Sequence, residues 1–136
     1  MSVFIALEGI EGAGKSTIMH RIKSWCKEKG IEICLTREPG GTPLAENIRT
    51  VLADCKNKSM SPEAELLLMF ASRAQHVQEI IRPALEKGLW VISDRFIESS
   101  YAYQGGGRGL PFEWIDHLSE MTVGETIPTL TVLLDV

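Results

Sequence analysis

Gly9-Ile10-Glu11-Gly12-Ala13-Gly14-Lys15-Ser16 fits the spacing G-x-x-x-x-G-K-[ST] without a mismatch, and it constrains the fold more than any other stretch of this chain. Before it, Val3-Phe4-Ile5-Ala6-Leu7 reads as a short buried strand, apolar and partly β-branched. After it, Ile18 to Lys29 reads as an amphipathic helix. Strand, glycine loop and helix is the context in which this spacing makes a phosphate-binding loop. The glycines let backbone N–H groups turn inward around a polyphosphate, and the helix N-terminus adds the positive end of its dipole. Gly9, Ile10, Glu11, Gly12, Ala13, Gly14, Lys15, Ser16 and Thr17 are therefore the candidate nucleotide-binding residues. Lys15 is expected to reach the β- and γ-phosphates, and Ser16 to offer its hydroxyl to Mg2+. From the chain's own Gly, Lys and Ser plus Thr frequencies, chance produces the pattern in roughly one such sequence in 150.

A chain of 136 residues has room for one domain, or most of one. Hydrophobic residues at 44% and charged residues at 24% are ordinary for a soluble globular protein. A net charge of −4 gives no support for a nucleic-acid or membrane-surface partner, and none is expected. No apolar run approaches the ~20 residues of a membrane span, and the N-terminus enters a strand with no basic leader. Cys26, Cys34 and Cys55 are odd in number and lack metal-ligand spacing. They are expected to be small core or surface thiols in a reducing, cytoplasmic setting.

Along the chain, Ile18, Met19, Ile22, Trp25 and Cys26 recur near the helical period, and Gly30 suits a C-cap. Ile31 to Thr36 reads as a second strand, and Arg37 to Pro43 as a Pro- and Gly-rich loop. Leu44 to Asp54 reads as a helix with Leu44, Ile48, Val51 and Leu52 on its apolar face. Ser61-Pro62-Glu63 is a helix start: a cap, a proline at the first position and an acid in the first turn. That helix is expected to run to about Lys87, kinked or broken near Pro83. Its apolar residues Leu66, Leu67, Leu68, Met69, Phe70, Val77, Ile80 and Ile81 cover more than one face, which predicts burial on two sides or pairing with a partner subunit. Leu89 to Ser93 reads as a third strand, Gly105 to Gly109 as a mobile or tightly turning loop, and Leu110 to about Met121 as a helix. Thr129 to Val136 reads as a final buried strand. The alternation predicts an α/β fold of the P-loop NTPase type, a parallel sheet with helices on both faces. A strand in such a sheet normally leads into a returning helix, so ending on one suggests a single domain, 1–136, cut short at its C-terminus.

Ligands of an open parallel sheet bind outside the carboxyl ends of its strands. Here those ends carry Glu8, Arg37-Glu38, Asp94-Arg95 and Asp135. Mg2+ needs an oxygen ligand near Ser16; Asp94 is the first candidate and Asp135 the second. Phosphoryl transfer also needs cations, and Arg37, Arg49, Arg73, Arg95 and Arg108 are available. Arg95, fixed at a strand end, and Arg73, on an apolar helix, are the least like surface arginines. His20, His76 and His117 are scattered and read as ordinary helix residues.

Three segments carry a family resemblance: Glu8 to Thr17, Thr36-Arg37-Glu38-Pro39-Gly40-Gly41-Thr42, and Asp94-Arg95-Phe96 with Ser99 and Ala102-Tyr103-Gln104-Gly105. In this order they resemble thymidylate kinase (dTMP kinase) of the bacterial type, over about the first two-thirds of a typical member. The resemblance implies a homodimer and the reaction of ATP with dTMP to give ADP and dTDP, with Mg2+. Lys15, Glu11, Asp94 and Arg95 are the candidate catalytic residues, and the resemblance implies that Glu11 meets the acceptor sugar's 3′-hydroxyl. Arg49 and Arg95 would grip the dTMP phosphate, a bidentate task suited to guanidinium. Arg73 would donate to thymine's carbonyl edge, Tyr103 would fill the space of a ribose 2′-hydroxyl, Gln104 would contact the base, and Glu38 would order the site and its metal. The family commonly stacks an aromatic residue on thymine four positions before Arg73. That position is Met69 here, while Phe70 lies three before and shares the same helix face.

Gly12 stands where some members carry an arginine. Such sequences resemble the subgroup whose transition-state cations come from a later lid, which would lie beyond Val136. The 136 residues alone are therefore expected to be a weak enzyme or none. The competing readings are a kinase for another small acceptor and a non-catalytic nucleotide-binding or dimerisation module.

Overall fold

The computed structural model describes residues 2–10, 12–54, 56 and 58–135. Four strands form one parallel sheet in the order β2-β3-β1-β4: β1 (Phe4–Glu8), β2 (Ile33–Arg37), β3 (Trp90–Asp94) and β4 (Leu130–Leu133). β1 is buried at every position because it is an interior strand covered on both faces, which suits an uninterrupted apolar run. Its alternate residues feed two cores. Phe4 and Ala6 join Val91, Val77, Ile81, Ala84, Phe96 and Val123 on one face. Ile5 and Leu7 join Ile92 on the other, against Ile18, Met19 and Ile22 of α1 (Lys15–Glu28).

The connections set the site. From β1 the chain crosses through α1 to β2; from β3 it crosses the opposite way, to β4. β1 and β3 are neighbours whose connections diverge, so a crevice opens beyond their carboxyl ends. The phosphate loop and Asp94-Arg95 lie there.

α2 (Pro43–Ala53) packs on α3 (Pro62–His76). The apolar face expected for α2 is rotated: Leu44 and Val51 are exposed, while Ala45 is fully buried and its small side chain permits close approach. The helix after Pro62 is interrupted before Pro83, as a π-helical turn at Val77–Ile81 that runs into α4 (Arg82–Glu86). A wider turn accommodates a proline that offers no N–H and crowds the preceding carbonyl. Leu66, Phe70, Val77 and Ile81 are buried, and Leu67 stands 59% exposed.

Two expectations are corrected. The glycine stretch is helical rather than a loop: α5 (Ile97–Ser100) continues through a π-helical segment, Tyr101–Gly107, before α6 (Phe112–Thr122). Gly105 is buried under Phe112, where a Cβ would collide with the ring, so its lack of a side chain serves packing. The final strand is shorter and more exposed than expected, with Leu130 and Leu133 at 53% and 70%. Among the described strands it pairs only with β1 and turns only Val132 toward the core. Of the cysteines, Cys26 is buried and Cys34 half-buried, both free; Cys55 lies outside the described residues, as does Val136. No helix among the described residues is long and apolar enough to cross a membrane.

Candidate functional site

The N-terminus of α1 differs from those of α2 and α3. Thr42 caps α2 by accepting from Ala45 N at 3.0 Å, and Ser61 caps α3 by accepting from Ala64 N at 3.1 Å. Both helices carry acids in the first turn. α1 begins after Gly14, which has φ 95 and no side chain to cap with, and it has no acid in its first turn. Among the described residues no side chain caps it, so its N-terminal N–H groups and positive dipole end favour a negative charge there. Lys15 is 7% exposed, with Nζ 3.0 Å from Asp94 Oδ1. Ser16 and Thr17 are exposed on the first turn. Glu11, expected inside this loop, lies outside the described residues.

Beside the loop lies a cleft of about 490 Å³ lined by Gly9, Ile10, Arg95 and Tyr103, with Glu8 and Ser99 deeper and Asp135 at the rim. Arg95 continues β3 through N–H to Leu7 O at 2.8 Å. Its φ is 72, a left-handed conformation that costs an L-residue about 1–2 kcal/mol. Its guanidinium lies over the Tyr103 ring at 5.2 Å and donates to the phenol oxygen at 3.0 Å. Glu8 accepts from Phe96 N at 2.9 Å and from Ser99 Oγ at 2.5 Å. Burial raises its carboxyl above the ordinary 4.5; those two hydrogen bonds and the charges of Arg73 and Arg95 restrain the rise.

The other expected residues stand elsewhere. Arg73 is 1% exposed and works inside the fold. Nε donates to Glu38 Oε1 at 2.6 Å, one terminal nitrogen to Ser100 Oγ at 2.8 Å and the other to Phe96 O at 3.1 Å. Phe70, also 1% exposed, is covered by that guanidinium at 4.7 Å. Neither presents an open face for a base. Gln104 is buried, donates to Glu65 Oε1 at 2.8 Å and leaves its own Oε1 without a partner. Arg49 lines a separate shallow cleft with Arg37, Glu46 and Thr50. Arg37 is paired with Glu46 at 2.6 Å, and Arg108 with Glu65 at 3.1 Å.

His76 is not an ordinary helix residue. It is fully buried, with Nδ1 2.7 Å from Glu38 Oε2 and Nε2 2.6 Å from Thr36 Oγ1. Facing a carboxylate, Nδ1 carries the proton and donates. Glu38 thus bridges Arg73 and His76 and ties the end of β2 to α3 and α5. Gly41 closes over this group: φ is 97, and a Cβ would come within 2.6 Å of His76 Cδ2. Gly41→Ala is expected to destabilise the chain by about 2–4 kcal/mol, from backbone strain plus overpacking. Urea unfolding measures this; a loss under about 1 kcal/mol would show that the loop relaxes.

The thymidylate kinase family model matches residues 7–136. The chain belongs to the thymidylate kinase family. Thymidylate kinases from Ectopseudomonas mendocina and Pseudomonas fluorescens are 54% and 55% identical to it over 133 residues, and that from Nitrosomonas europaea is 50% identical. These alignments cover 98% of the chain but 61–63% of the relatives' own lengths. The crystal structure of thymidylate kinase from Ehrlichia chaffeensis superposes with a TM-score of 0.89 at 40% identity, covering 98% of this chain and 75% of that one. The chain therefore shares the P-loop α/β fold of that family and spans under two-thirds of the length of the curated relatives it matches here. Glu8, Ser99 and His76 received no role from sequence reasoning; a carboxylate ending a fully apolar strand was the available signal for Glu8.

Proposed function

We propose that this chain carries the donor loop and acceptor cleft of a kinase that transfers the γ-phosphoryl group of ATP to dTMP, giving ADP and dTDP. The observation that carries the reading is an uncapped helix N-terminus whose Lys15 pairs with Asp94, next in the chain to Arg95, which lines the cleft beside the loop. The relatives' names point the same way. Backbone N–H groups of Gly9 to Ser16 and the Lys15 ammonium hold the donor phosphates; polyphosphate oxygens take Lys15 over from Asp94. Arg95 binds the acceptor phosphate, and Arg49, in the separate cleft, is the second candidate for it. Tyr103 lies against the acceptor sugar, and Gln104, buried and held by Glu65, is the candidate contact to the base. Arg73 and Phe70 stay inside the fold, where Glu38 holds Arg73, and they support the site from within without offering the base a face. Glu11 serves the acceptor sugar.

The residues fit Mg2+. That ion keeps several waters and takes one or two protein oxygens plus phosphates, and Ser16 and the partly exposed Asp94 supply those oxygens. The absence of any three-residue His, Cys, Asp or Glu cluster among the described residues accords with so sparse a set. When bound, the ion neutralises charge on the transferring phosphoryl group. The exposed Leu44, Val51 and Leu67 on α2 and α3 support a homodimer.

Calorimetric titration of the purified chain with Mg·ATP and with dTMP, dUMP, dCMP and AMP tests the reading. Tighter binding of dTMP than of dCMP and AMP, by about 10–100-fold, is expected, because a mismatched base edge leaves buried polar groups unpaired. Preference for any acceptor other than a thymine or uracil nucleotide would overturn it. dTMP-dependent ADP release by the same sample reports turnover directly.

A further inference from the structure

Glu8 is the buried carboxylate of the cleft, 6% exposed, whereas Glu98 and Asp135 are open to solvent. Both of its oxygens are committed to the segment that follows β3, through Phe96 N–H and the Ser99 hydroxyl. The backbone at Arg95 is consequently held from three sides. Its N–H donates to Leu7 O at 2.8 Å, its carbonyl accepts from Ser93 Oγ at 2.7 Å, and the next N–H is taken by Glu8. Arg95 is also the non-glycine residue with positive φ among the described residues. An arginine adopts that backbone only where its surroundings over-determine it, and relaxation to an ordinary φ would turn the side chain away from its seat on Tyr103.

We propose that Glu8 is a positioning residue: by accepting from Phe96 N–H and Ser99 Oγ–H it fixes the left-handed backbone of Arg95 and so aims the guanidinium into the cleft. The identity of the ligand that Arg95 meets rests on the acceptor-phosphate reading above. The work is done by hydrogen-bond acceptance at a set reach, so shape matters more than charge. Glutamine in place of Glu8 can still accept from Phe96 N–H while donating to the Ser99 oxygen. Aspartate is one methylene short of both.

The test follows the Arg95 Nε–Hε resonance by NMR in the ligand-free chain, and dTMP and ATP affinities by calorimetry. In Glu8→Ala and Glu8→Asp the Arg95 resonance is expected to leave its wild-type position, set by the Tyr103 ring. dTMP affinity is expected to fall about tenfold while ATP affinity stays within about twofold. Glu8→Gln restores the resonance and most of the affinity, and Ser99→Ala, which removes one of the two bonds from a small side chain, gives a smaller shift in a chain that folds. In an Arg95→Ala background Glu8→Ala adds less than about a twofold change, because the two residues act as one. An unmoved Arg95 resonance in both Glu8→Asp and Ser99→Ala overturns the proposal, as does equal loss of ATP and dTMP binding. A wild-type chain that fails to bind dTMP, with the Arg95 resonance still moved by Glu8→Asp, removes the acceptor reading and leaves the clamp standing.

Discussion

Replacing Glu38 by leucine is expected to destabilise the chain by about 3–5 kcal/mol, the cost of leaving a buried charge without its partner. The Glu38 and Arg73 side chains are each 1% exposed and 2.6 Å apart, so solvent neither screens the pair nor replaces a lost member. Glu38 also accepts from His76 Nδ1, and its loss strands two donors rather than one. Arg73 would keep Ser100 Oγ and Phe96 O, neither of which carries a compensating charge. Arg73→Met alone should cost less, because His76 continues to hold Glu38. The double variant Glu38→Leu, Arg73→Met should lose less than the sum of the single losses, with a coupling of about 0.5–3 kcal/mol. A domain of this size has only about 5–15 kcal/mol of stability, so Glu38→Leu removes a large share of it. Urea unfolding of the four proteins decides the matter; a Glu38→Leu loss under about 1 kcal/mol would mean that the network is structurally idle.

That network also shows where sequence reading stops. The parallel sheet and phosphate loop were legible because they depend on local signals: an apolar run, glycines at fixed offsets and a helical period. The four strand ends were legible because a parallel sheet brings carboxyl ends to one edge whatever the loops do. Pairings across the fold were not. His76 and Glu38 are far apart in the chain, and nothing in a lone histidine on a helix says that a carboxylate from the end of β2 will sit on its Nδ1. Arg73 was singled out as an arginine among apolar neighbours, but its partners come from Glu38, Phe96 and Ser100, so its inward direction depends on packing. Gly105 to Gly107 misled by composition. Glycines in sequence signal a turn when nothing packs on them, and here the Phe112 ring packs on Gly105. β4 misled by its apolar run, since burial depends on what lies against the outer strand and not on the strand itself.

Lys15→Ala is expected to weaken ATP binding about 10–150-fold, the range for losing a charge-assisted hydrogen bond of about 1.5–3 kcal/mol. Any phosphoryl transfer should fall further, by about 10²–10³-fold, because the ammonium is aimed at charge that grows in the transition state. Stability should respond weakly. The Asp94 side chain left behind is 33% exposed overall, and its buried Oδ1 is reached by water through the space that the lysine vacates. This contrast with Glu38 separates the two acidic residues: one closes a buried network, the other stands at an open site where a ligand can replace it. dTMP affinity should stay within about twofold, since the proposed acceptor contacts, Arg95 and Tyr103, line the cleft and Lys15 does not. Arginine in place of Lys15 should not rescue, because its planar fork is broader than an ammonium in a pocket that leaves 7% of Lys15 exposed. Calorimetry with Mg·ATP and dTMP, beside urea unfolding, gives all of these quantities. Unchanged ATP affinity in Lys15→Ala would remove the loop from nucleotide binding. A large stability loss would make the Lys15–Asp94 pair a structural contact, and the uncapped N-terminus of α1 would then need another explanation.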